Sequence, residues 1–288
     1  MPANQINFDW RNIPMNSNYP KIINPDYPLG HFKFALFDFD GTLSLIREGW
    51  QKIMKGYFFE ELSKAPDAED AESLRACIND FVDKTTGKQT IYQCILLAEE
   101  IARRGGKPLD PQDYKDEYSR RLLEEVGHRI RGLEDKTISP EELLVPGGIE
   151  ILKELKARGV KIFIASGTDE IYAAHEAELL GVTQYLAAPV YGAQRDYKSF
   201  SKKMVIERII RENNLQGHEL VGFGDGFVEI ENVKEYGGFS VGVTTDEKHH
   251  DGREDEWKRE RLIAAGADII IPDFARAAEL AKYLFPEV

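Results

Sequence analysis

The chain of 288 residues is long enough for one large domain or two smaller ones, and its 42% hydrophobic and 30% charged residues are typical of a globular protein. Its net charge of −13 argues against a nucleic-acid or anionic-membrane surface, because such binding depends on lysine and arginine meeting phosphates. No apolar run approaches the ~20 residues that span a bilayer, and residues 1–29 do not resemble a secretory signal, so a cytoplasmic location is the expectation.

The N-terminal part leads into an apolar segment that ends on two carboxylates. Residues 1–30 are rich in Asn and Pro and lack periodicity, which predicts an irregular arm. Residues 32–37 form an apolar run typical of a buried strand, followed by the motif DFDGT at 38–42. Ending such a strand on Asp38 and Asp40 is costly unless something uses them. Residues two apart in a strand point the same way, so both carboxylates are expected to face one site.

The next segment, residues 47–140, is predicted to be an all-helical insert. Apolar side chains recur there at spacings of three and four, as on one face of a helix. The predicted helices cover residues 47–63, 68–83, 90–104 and 111–131. Loops rich in Gly, Lys and Thr separate them.

From residue 145 onward, strands and helices alternate. The predicted strands are 160–165, 185–190, 219–223, 239–243 and 268–271, and the predicted helices are 147–158, 169–180, 199–213, 227–236, 254–264 and 274–284. This alternation predicts a parallel sheet covered by helices on both faces, with ligands at the carboxyl ends of the strands. The fold class is therefore α/β, with a three-layer core from residues 31–46 and 141–288 and a helical cap from residues 47–140.

The DFDGT motif offers two chemical groups for phosphate-ester cleavage. Asp38 is a candidate nucleophile toward phosphorus, giving an acyl phosphate that water cleaves. Asp40 is a candidate acid/base that protonates the leaving oxygen and then activates water. Gly41 permits a tight turn, and Thr42 can hydrogen-bond to fix it. Taken alone, the motif is equally compatible with an ordinary Asp-Gly turn.

A second candidate element follows the strand at 160–165. The Ser166 hydroxyl and the backbone N–H groups around Gly167 are suited to holding phosphate oxygens. The same residues also resemble a helix N-terminus, with Thr168 as the capping residue.

Two further elements lie near later strand ends. Lys202 and Lys203 begin the helix after residue 199, and a lysine there can neutralise a phosphate, although helix lysines are usually solvated. Asp225, after the strand at 219–223, is a candidate Mg²⁺ ligand together with Asp38, since Mg²⁺ prefers oxygen ligands. Glu229, one helical turn further on, is expected to reach the metal through water.

The order of these elements resembles the haloacid dehalogenase superfamily over residues 33–43 and 145–285. The motifs that carry the resemblance are DFDGT at 38–42, Ser166 after an apolar strand, Lys202, and GDGxxE at 224–229. The resemblance implies a Rossmann-like core, Mg²⁺ as cofactor, Asp38 as nucleophile, Asp40 as acid/base, Ser166 and Lys202 at the phosphoryl group, and Asp225 with the main-chain carbonyl of Asp40 at the metal. Lys202 is preferred to Lys203 because its spacing to the following helix is similar to that in phosphatase members.

Two features narrow the expected activity within that superfamily. Dehalogenase and phosphonatase members lack the second aspartate, so Asp40 favours phosphate-ester chemistry. The helical insert is similar to the C1 cap of phosphoglycolate phosphatase and β-phosphoglucomutase relatives. Such a cap suits a small phosphorylated metabolite, either a sugar phosphate or a phosphoglycolate-like acid.

Substrate contacts are expected from the cap loop at 85–89 and from the residues beside the first motif. The candidates are Thr42, Arg47, Thr86, Lys88, Gln89 and Gly167. A surface loop and a surface arginine are equally compatible with the sequence.

Three functions share these residues. The first is a Mg²⁺-dependent phosphohydrolase that works through an aspartyl phosphate. The second is a phosphomutase or phosphotransferase that uses the same intermediate, with a sugar as acceptor in place of water. The third is a non-catalytic binding protein on the same fold, which the presence of all four charged motif residues disfavours.

Overall fold

The computed structural model describes residues 19–249 and 251–286 and contains a seven-stranded sheet. The strands are β1 (Lys21–Ile22), β2 (Phe34–Phe37), β3 (Lys161–Asp169), β4 (Tyr191–Ala193), β5 (Leu220–Gly224), β6 (Phe239–Val243) and β7 (Ile269–Ile271). Their order across the sheet is β1-β7-β6-β5-β2-β3-β4. All neighbouring pairs are parallel except the edge strand β1, which runs antiparallel to β7.

Helices cover both faces of this sheet. The helices of the described chain are α1 (Trp50–Leu62), α2 (Ala71–Thr85), α3 (Thr90–Arg103), α4 (Pro111–Glu134), α5 (Gly148–Ala157), α6 (Glu170–Leu179), α7 (Lys202–Asn213), α8 (Phe227–Glu235), α9 (Glu256–Ala264) and α10 (Ala277–Leu284). Helices α5, α6 and α10 pack on one face and α7, α8 and α9 on the other. The predicted three-layer α/β core is confirmed.

Strand β2 is central, and all four of its residues are buried. Because helices cover both faces, such a strand is a continuous apolar run without alternation, as in the sequence. Phe37 lies level with Ile164 of β3 and Phe223 of β5. The chain segments that follow these residues therefore meet at one edge of the sheet.

The four helices α1–α4 form the predicted cap, with a hydrophobic core of their own. Side chains such as Met54, Phe58, Leu97 and Val126 build that core and are almost fully buried. No helix in residues 19–249 or 251–286 is long and apolar enough to cross a membrane.

The predicted strand at 185–190 is wrong. Thr183–Tyr185 is a 3₁₀ turn, and Leu186 makes only an isolated bridge to Ile162. Pro189 cannot donate a backbone hydrogen bond, so β4 forms only after it, at Tyr191–Ala193.

Several other element boundaries differ from the prediction, among them the start of α1 and part of the N-terminal arm. Helix α1 begins at Trp50 rather than at residue 47, because Gly49 has a left-handed backbone with φ of 90°. Residue 47 is thus free to turn inward. In the predicted arm, residues 1–18 lie outside the described chain, whereas Lys21–Ile22 is regular strand rather than irregular.

Candidate active site

Asp38 lies immediately beyond β2 and is 6% exposed. Its Oδ1 lies 2.8 Å from the Nζ of Lys202 and accepts a hydrogen bond from the backbone N–H of Phe39 at 2.7 Å. Burial raises the pKa of the Asp38 carboxyl to about 6, with Asp225 and Asp40 adding to the rise and Lys202 opposing it. At pH 7 most of the Asp38 carboxyl is therefore ionised, with Lys202 beside it.

Lys202, the first residue of α7, is 6% exposed and also pairs with Oε1 of Glu229. Lys203 points away from the site and pairs with the exposed Glu235. The structure therefore brings Lys202, and not Lys203, to Asp38, in line with the preference drawn from the sequence.

Glu229, the residue expected to reach a metal through water, contacts Lys202 through one of its carboxylate oxygens. It lies in the first turn of α8, where helical side chains lean toward the N-terminus, and it packs over Gly224. This lean directs Oε1 to the ammonium of Lys202, while Oε2 is buried with no hydrogen-bond partner among the described residues.

Asp40 is held through one carboxylate oxygen only. Its Oδ2 accepts hydrogen bonds from Ser166 Oγ at 3.1 Å and from Thr168 Oγ1 at 2.9 Å. Its Oδ1 is buried and has no hydrogen-bond partner in the described chain, and the nearest cation is Arg47, 3.8 Å away at Nε. One oxygen of Asp40 is therefore oriented, and the other is left without a hydrogen-bond partner among the described residues.

The roles expected for Ser166 and Thr168 need correction. Ser166 is fully buried, donates to Asp40 and does not line the cavity, so its hydroxyl orients the Asp40 carboxylate. Thr168 is not the cap of α6: Asp169 occupies that position, without a side-chain capping bond, because β3 continues through Asp169. Thr168 lines the cavity beside Asp40, and Gly167 lines it as well.

Arg47 is buried rather than on the surface. Its guanidinium donates to both oxygens of Glu176, from Nε at 3.1 Å and from Nη2 at 2.6 Å. Burial opposes the charge of Arg47, but Glu176 and Asp40 outweigh it and raise its pKa. Arg47 also lines the cavity, so Glu176 holds a permanent cation next to Asp40.

Asp225 is fixed by two neighbours, Thr42 and Lys258. Its backbone N–H donates to Thr42 Oγ1 at 3.0 Å, and its Oδ2 lies 2.8 Å from Lys258 Nζ. The same ammonium lies 2.6 Å from Oε1 of Glu247. Thr42, expected to contact substrate, is fully buried and does not line the cavity, so it positions Asp225 instead.

The charged side chains around Asp38 and Asp225 leave an excess of negative charge, which a divalent cation would neutralise. Two buried ammonium groups, Lys202 and Lys258, each contact two carboxylates. The four carboxylates are Asp38, Asp225, Glu229 and Glu247. Four negative and two positive charges sum to −2, the charge that one Mg²⁺ neutralises.

The available donors fit Mg²⁺ with a sparse ligand set. In residues 19–249 and 251–286, no group of three or more His, Cys, Asp or Glu side chains is arranged to hold a metal. Mg²⁺ in phosphate-handling sites commonly takes one or two carboxylates and completes its shell with water and phosphate oxygens. Asp38 and Asp225 are such a pair. The Asp225 carboxylate also lies against the Asp40–Gly41 backbone, because a Cβ on Gly41 would come within 2.3 Å of its Oδ2.

The cap closes over this edge of the sheet through the loop before α3. Thr86 and Lys88, two of the candidate substrate contacts, line the cavity. The loop packs so closely that a Cβ on Gly167 would lie 2.8 Å from the Lys88 carbonyl oxygen. Gln89 does not line the cavity, because its Nε2 donates to the backbone carbonyls of Tyr197 and Phe200, at 3.0 and 2.7 Å.

Helix α4 supplies a buried cation that the sequence reading missed. Lys115 is 4% exposed, lines the cavity and pairs with Oδ1 of Asp169 at the end of β3. A signal was present, because Lys115 lies on the same helical stripe as the buried Tyr118 and Leu122, three and seven residues further on.

Comparison with protein families matches residues 32–237 to the haloacid dehalogenase-like hydrolases. The match covers well over half of the chain. The chain belongs to this family. Comparison with curated protein sequences finds no match.

Solved structures share the fold of this haloacid dehalogenase-like chain at low sequence identity. A predicted phosphoglycolate phosphatase from Haemophilus somnus is 15% identical with a TM-score of 0.55, covering 88% of this chain and 99% of its own. A β-phosphoglucomutase from Clostridium difficile is 13% identical with a TM-score of 0.58, covering 88% and 97%. A predicted phosphatase from Clostridium acetobutylicum is 20% identical with a TM-score of 0.58, covering 90% and 100%.

Proposed function

We propose that the chain is a Mg²⁺-dependent phosphohydrolase that cleaves a small phosphate monoester through an aspartyl phosphate on Asp38. The observation that supports it best is the 2.8 Å contact of Asp38 with Lys202, beside an Asp40 with one unbonded oxygen. The three similar structures described above are named as two predicted phosphatases and a β-phosphoglucomutase, which is consistent with phosphate-ester chemistry.

In the first step, a carboxylate oxygen of Asp38 bonds to phosphorus and the ester P–O bond breaks. The departing oxygen takes a proton from Asp40, whose Oδ1 is not engaged in a hydrogen bond. Lys202 keeps the Asp38 carboxylate ionised before attack and neutralises phosphoryl charge during it. Ser166 and Thr168 hold Asp40 by its other oxygen, so its orientation is set before the substrate arrives.

In the second step, water cleaves the acyl phosphate. Asp40, now ionised, accepts the proton of the attacking water, which bonds to phosphorus as the Asp38 P–O bond breaks. Mg²⁺ held by Asp38, Asp225 and the main-chain carbonyl of Asp40 would neutralise charge on the phosphoryl oxygens. Thr42 and Lys258 keep Asp225 in the orientation that this requires.

The substrate is proposed to be small because the cap closes the site. The cavity between cap and core measures about 100 Å³, on a scale where one water needs about 10–15 Å³. A short phosphorylated acid or a sugar phosphate has this size, whereas a phosphoprotein does not reach Asp38 through a closed cap.

Phosphate release from phosphorylated sugars, short acids and nucleotides, measured with Mg²⁺ and with EDTA, tests the proposal. We expect Mg²⁺-dependent release from one class of small ester, and a loss of about 10⁴-fold or more in Asp38→Asn. Asp80→Asn, at an exposed position of α2, is the matched control and should match the wild type.

Each other outcome has a defined meaning. Near-full activity in Asp38→Asn would remove Asp38 as the nucleophile. Transfer of the phosphoryl group between sugars, stimulated by a bisphosphate, would favour the phosphomutase. Absence of both release and transfer would favour a binding protein.

A further inference from the structure

Among the described residues, the charged side chains that the cap helices and their loops bring to the cavity are cations, whereas the core brings both signs, with Lys202 beside its carboxylates. The core contributes all the carboxylates that line it in the described chain, namely Asp38, Asp40, Asp169 and Asp225. The cap contributes two lysines, Lys88 and Lys115, and no carboxylate from residues 50–122 lines it. A cationic wall in a chain of net charge −13 indicates a ligand that is anionic at the cap end as well as at its phosphate.

Lys115 is the better placed of the two lysines. Lys88 is exposed, whereas Lys115 is 4% exposed, and burying an ammonium is costly unless its N–H groups are bonded. An ammonium has three N–H donors, and the hydrogen bonds of the described residues engage one of them, on Asp169. Two donors of a buried cation that faces the cavity are thus left for a ligand.

Gln93 adds a second unused group to the same cap wall. Its Nε2 donates to the Thr85 carbonyl at 2.9 Å, which orients the amide. Its Oε1 is buried and has no partner in the described part of the chain. A buried acceptor without a donor is destabilising, so a ligand hydroxyl that donates to Oε1 would gain affinity by satisfying it.

We propose that Lys115 and Gln93 form a subsite for the leaving group of a phosphorylated hydroxy acid, with the carboxylate on Lys115 and a hydroxyl on Gln93. This proposal rests on the proposed function in taking the phosphate to Asp38. Asp169 holds the ammonium in place and partly offsets its charge. A charge-assisted hydrogen bond of this kind contributes about 10- to 100-fold in affinity.

The rival explanation is a structural latch, because the Lys115–Asp169 pair joins α4 of the cap to β3 of the core. The two explanations differ in what they predict for Asp169→Asn. A latch is broken equally by Lys115→Met and by Asp169→Asn. A subsite is lost in Lys115→Met but kept in Asp169→Asn, where the ammonium is less compensated and attracts an anion more strongly.

Calorimetric binding of two phosphonates that resist hydrolysis, in the presence of Mg²⁺, tests the subsite without turnover. The charged probe is 2-hydroxy-4-phosphonobutanoate. Its counterpart, 3,4-dihydroxybutylphosphonate, keeps the phosphonate but has an uncharged hydroxymethyl group in place of the carboxylate. We expect the wild type and Asp169→Asn to prefer the charged probe by about 10- to 100-fold, and Lys115→Met to show no preference. Omitting the hydroxyl, as in 4-phosphonobutanoate, should weaken binding to the wild type but not to Gln93→Leu.

The proposal is overturned if the wild type shows no preference, if it does not bind the charged probe, or if Lys115→Met keeps the preference. Equal loss in Lys115→Met and Asp169→Asn would establish the latch. Phosphate release is measured separately on 3-phosphoglycerate and glycerol 3-phosphate. Binding preference without release from any ester would contradict the proposed hydrolase while leaving the subsite in place.

Discussion

The buried pair of Arg47 and Glu176 leads to a sharp prediction about stability. Arg47 is 8% exposed and Glu176 1%, and two hydrogen bonds of 3.1 and 2.6 Å join them. Removing one partner of a buried ion pair costs about 3–5 kcal/mol, because the other charge stays buried without compensation. Glu176→Gln should therefore lower the free energy of unfolding by about that amount, since the arginine remains charged at any pH at which the protein folds.

Urea unfolding at pH 7 with linear extrapolation measures the effect. Glu212→Gln is the control, because its pair with Arg208 has a similar hydrogen bond of 2.9 Å but both side chains are about half exposed. Exposed pairs contribute about 0–1 kcal/mol, so this control should change little.

A double variant tests whether the loss of stability comes from the buried charge that Glu176→Gln leaves behind. Replacing a buried ion pair by apolar residues of similar volume is often neutral or stabilising. Arg47→Met combined with Glu176→Leu should therefore recover most of the stability that Glu176→Gln loses. A loss in Glu176→Gln within about 1 kcal/mol of the Glu212→Gln control would refute the argument, and so would a double variant less stable than the single one.

Three further predictions concern the metal, the lysine and a buried acid. Asp225→Ala should abolish Mg²⁺-dependent phosphate release, and unchanged activation by excess Mg²⁺ would exclude Asp225 as a ligand. Lys202→Ala should lower turnover by about 10²-fold or more, whereas the exposed Lys203→Ala should not, and the reverse ranking would transfer the role. Burial raises the pKa of Asp273 from 3.8 to about 6, so the folded state binds its proton more tightly than the unfolded state does. Ionisation of this carboxyl therefore lowers the free energy of unfolding as the pH rises from about 4 to 6. Asp273→Asn removes that loss and should be more stable than the wild type by up to about 3 kcal/mol at pH 8, and equal stability at pH 8 in urea unfolding would contradict the prediction.

The sequence predicted the edge of the sheet well because strand ends obey local rules. The apolar run that ends on Asp38 and Asp40 is short and buried on both faces, so it can be recognised from the local sequence without knowing any tertiary contact. The same holds for Asp225 after β5. Parallel pairing then brings these residues together, whatever the details of packing between them.

Side-chain partners were harder to predict than positions. Ser166 was assigned to the phosphoryl group because it follows an apolar run, yet its hydroxyl bonds Asp40. Strand β3 continues past its apolar part to Asp169, so Ser166 and Thr168, two residues apart, point to the same side and both meet Asp40. In the sequence, the pattern Ser-Gly-Thr-Asp at 166–169 is also typical of a helix start, so this extension of the strand is not predicted.

Charged residues on helices were the least predictable, because each looks solvated until its partner is known. Lys115 shares a stripe with Tyr118 and Leu122, and Lys258 lies four residues before the buried Leu262. A lysine on an apolar stripe is either a solvated exception or a buried cation, and the difference depends on an acid from another element. For Lys115 that acid is Asp169, 54 residues further along the chain, which only the docking of cap on core brings near. The burial of a lysine on an apolar stripe of the cap can therefore be predicted only once the position of the cap on the core is known.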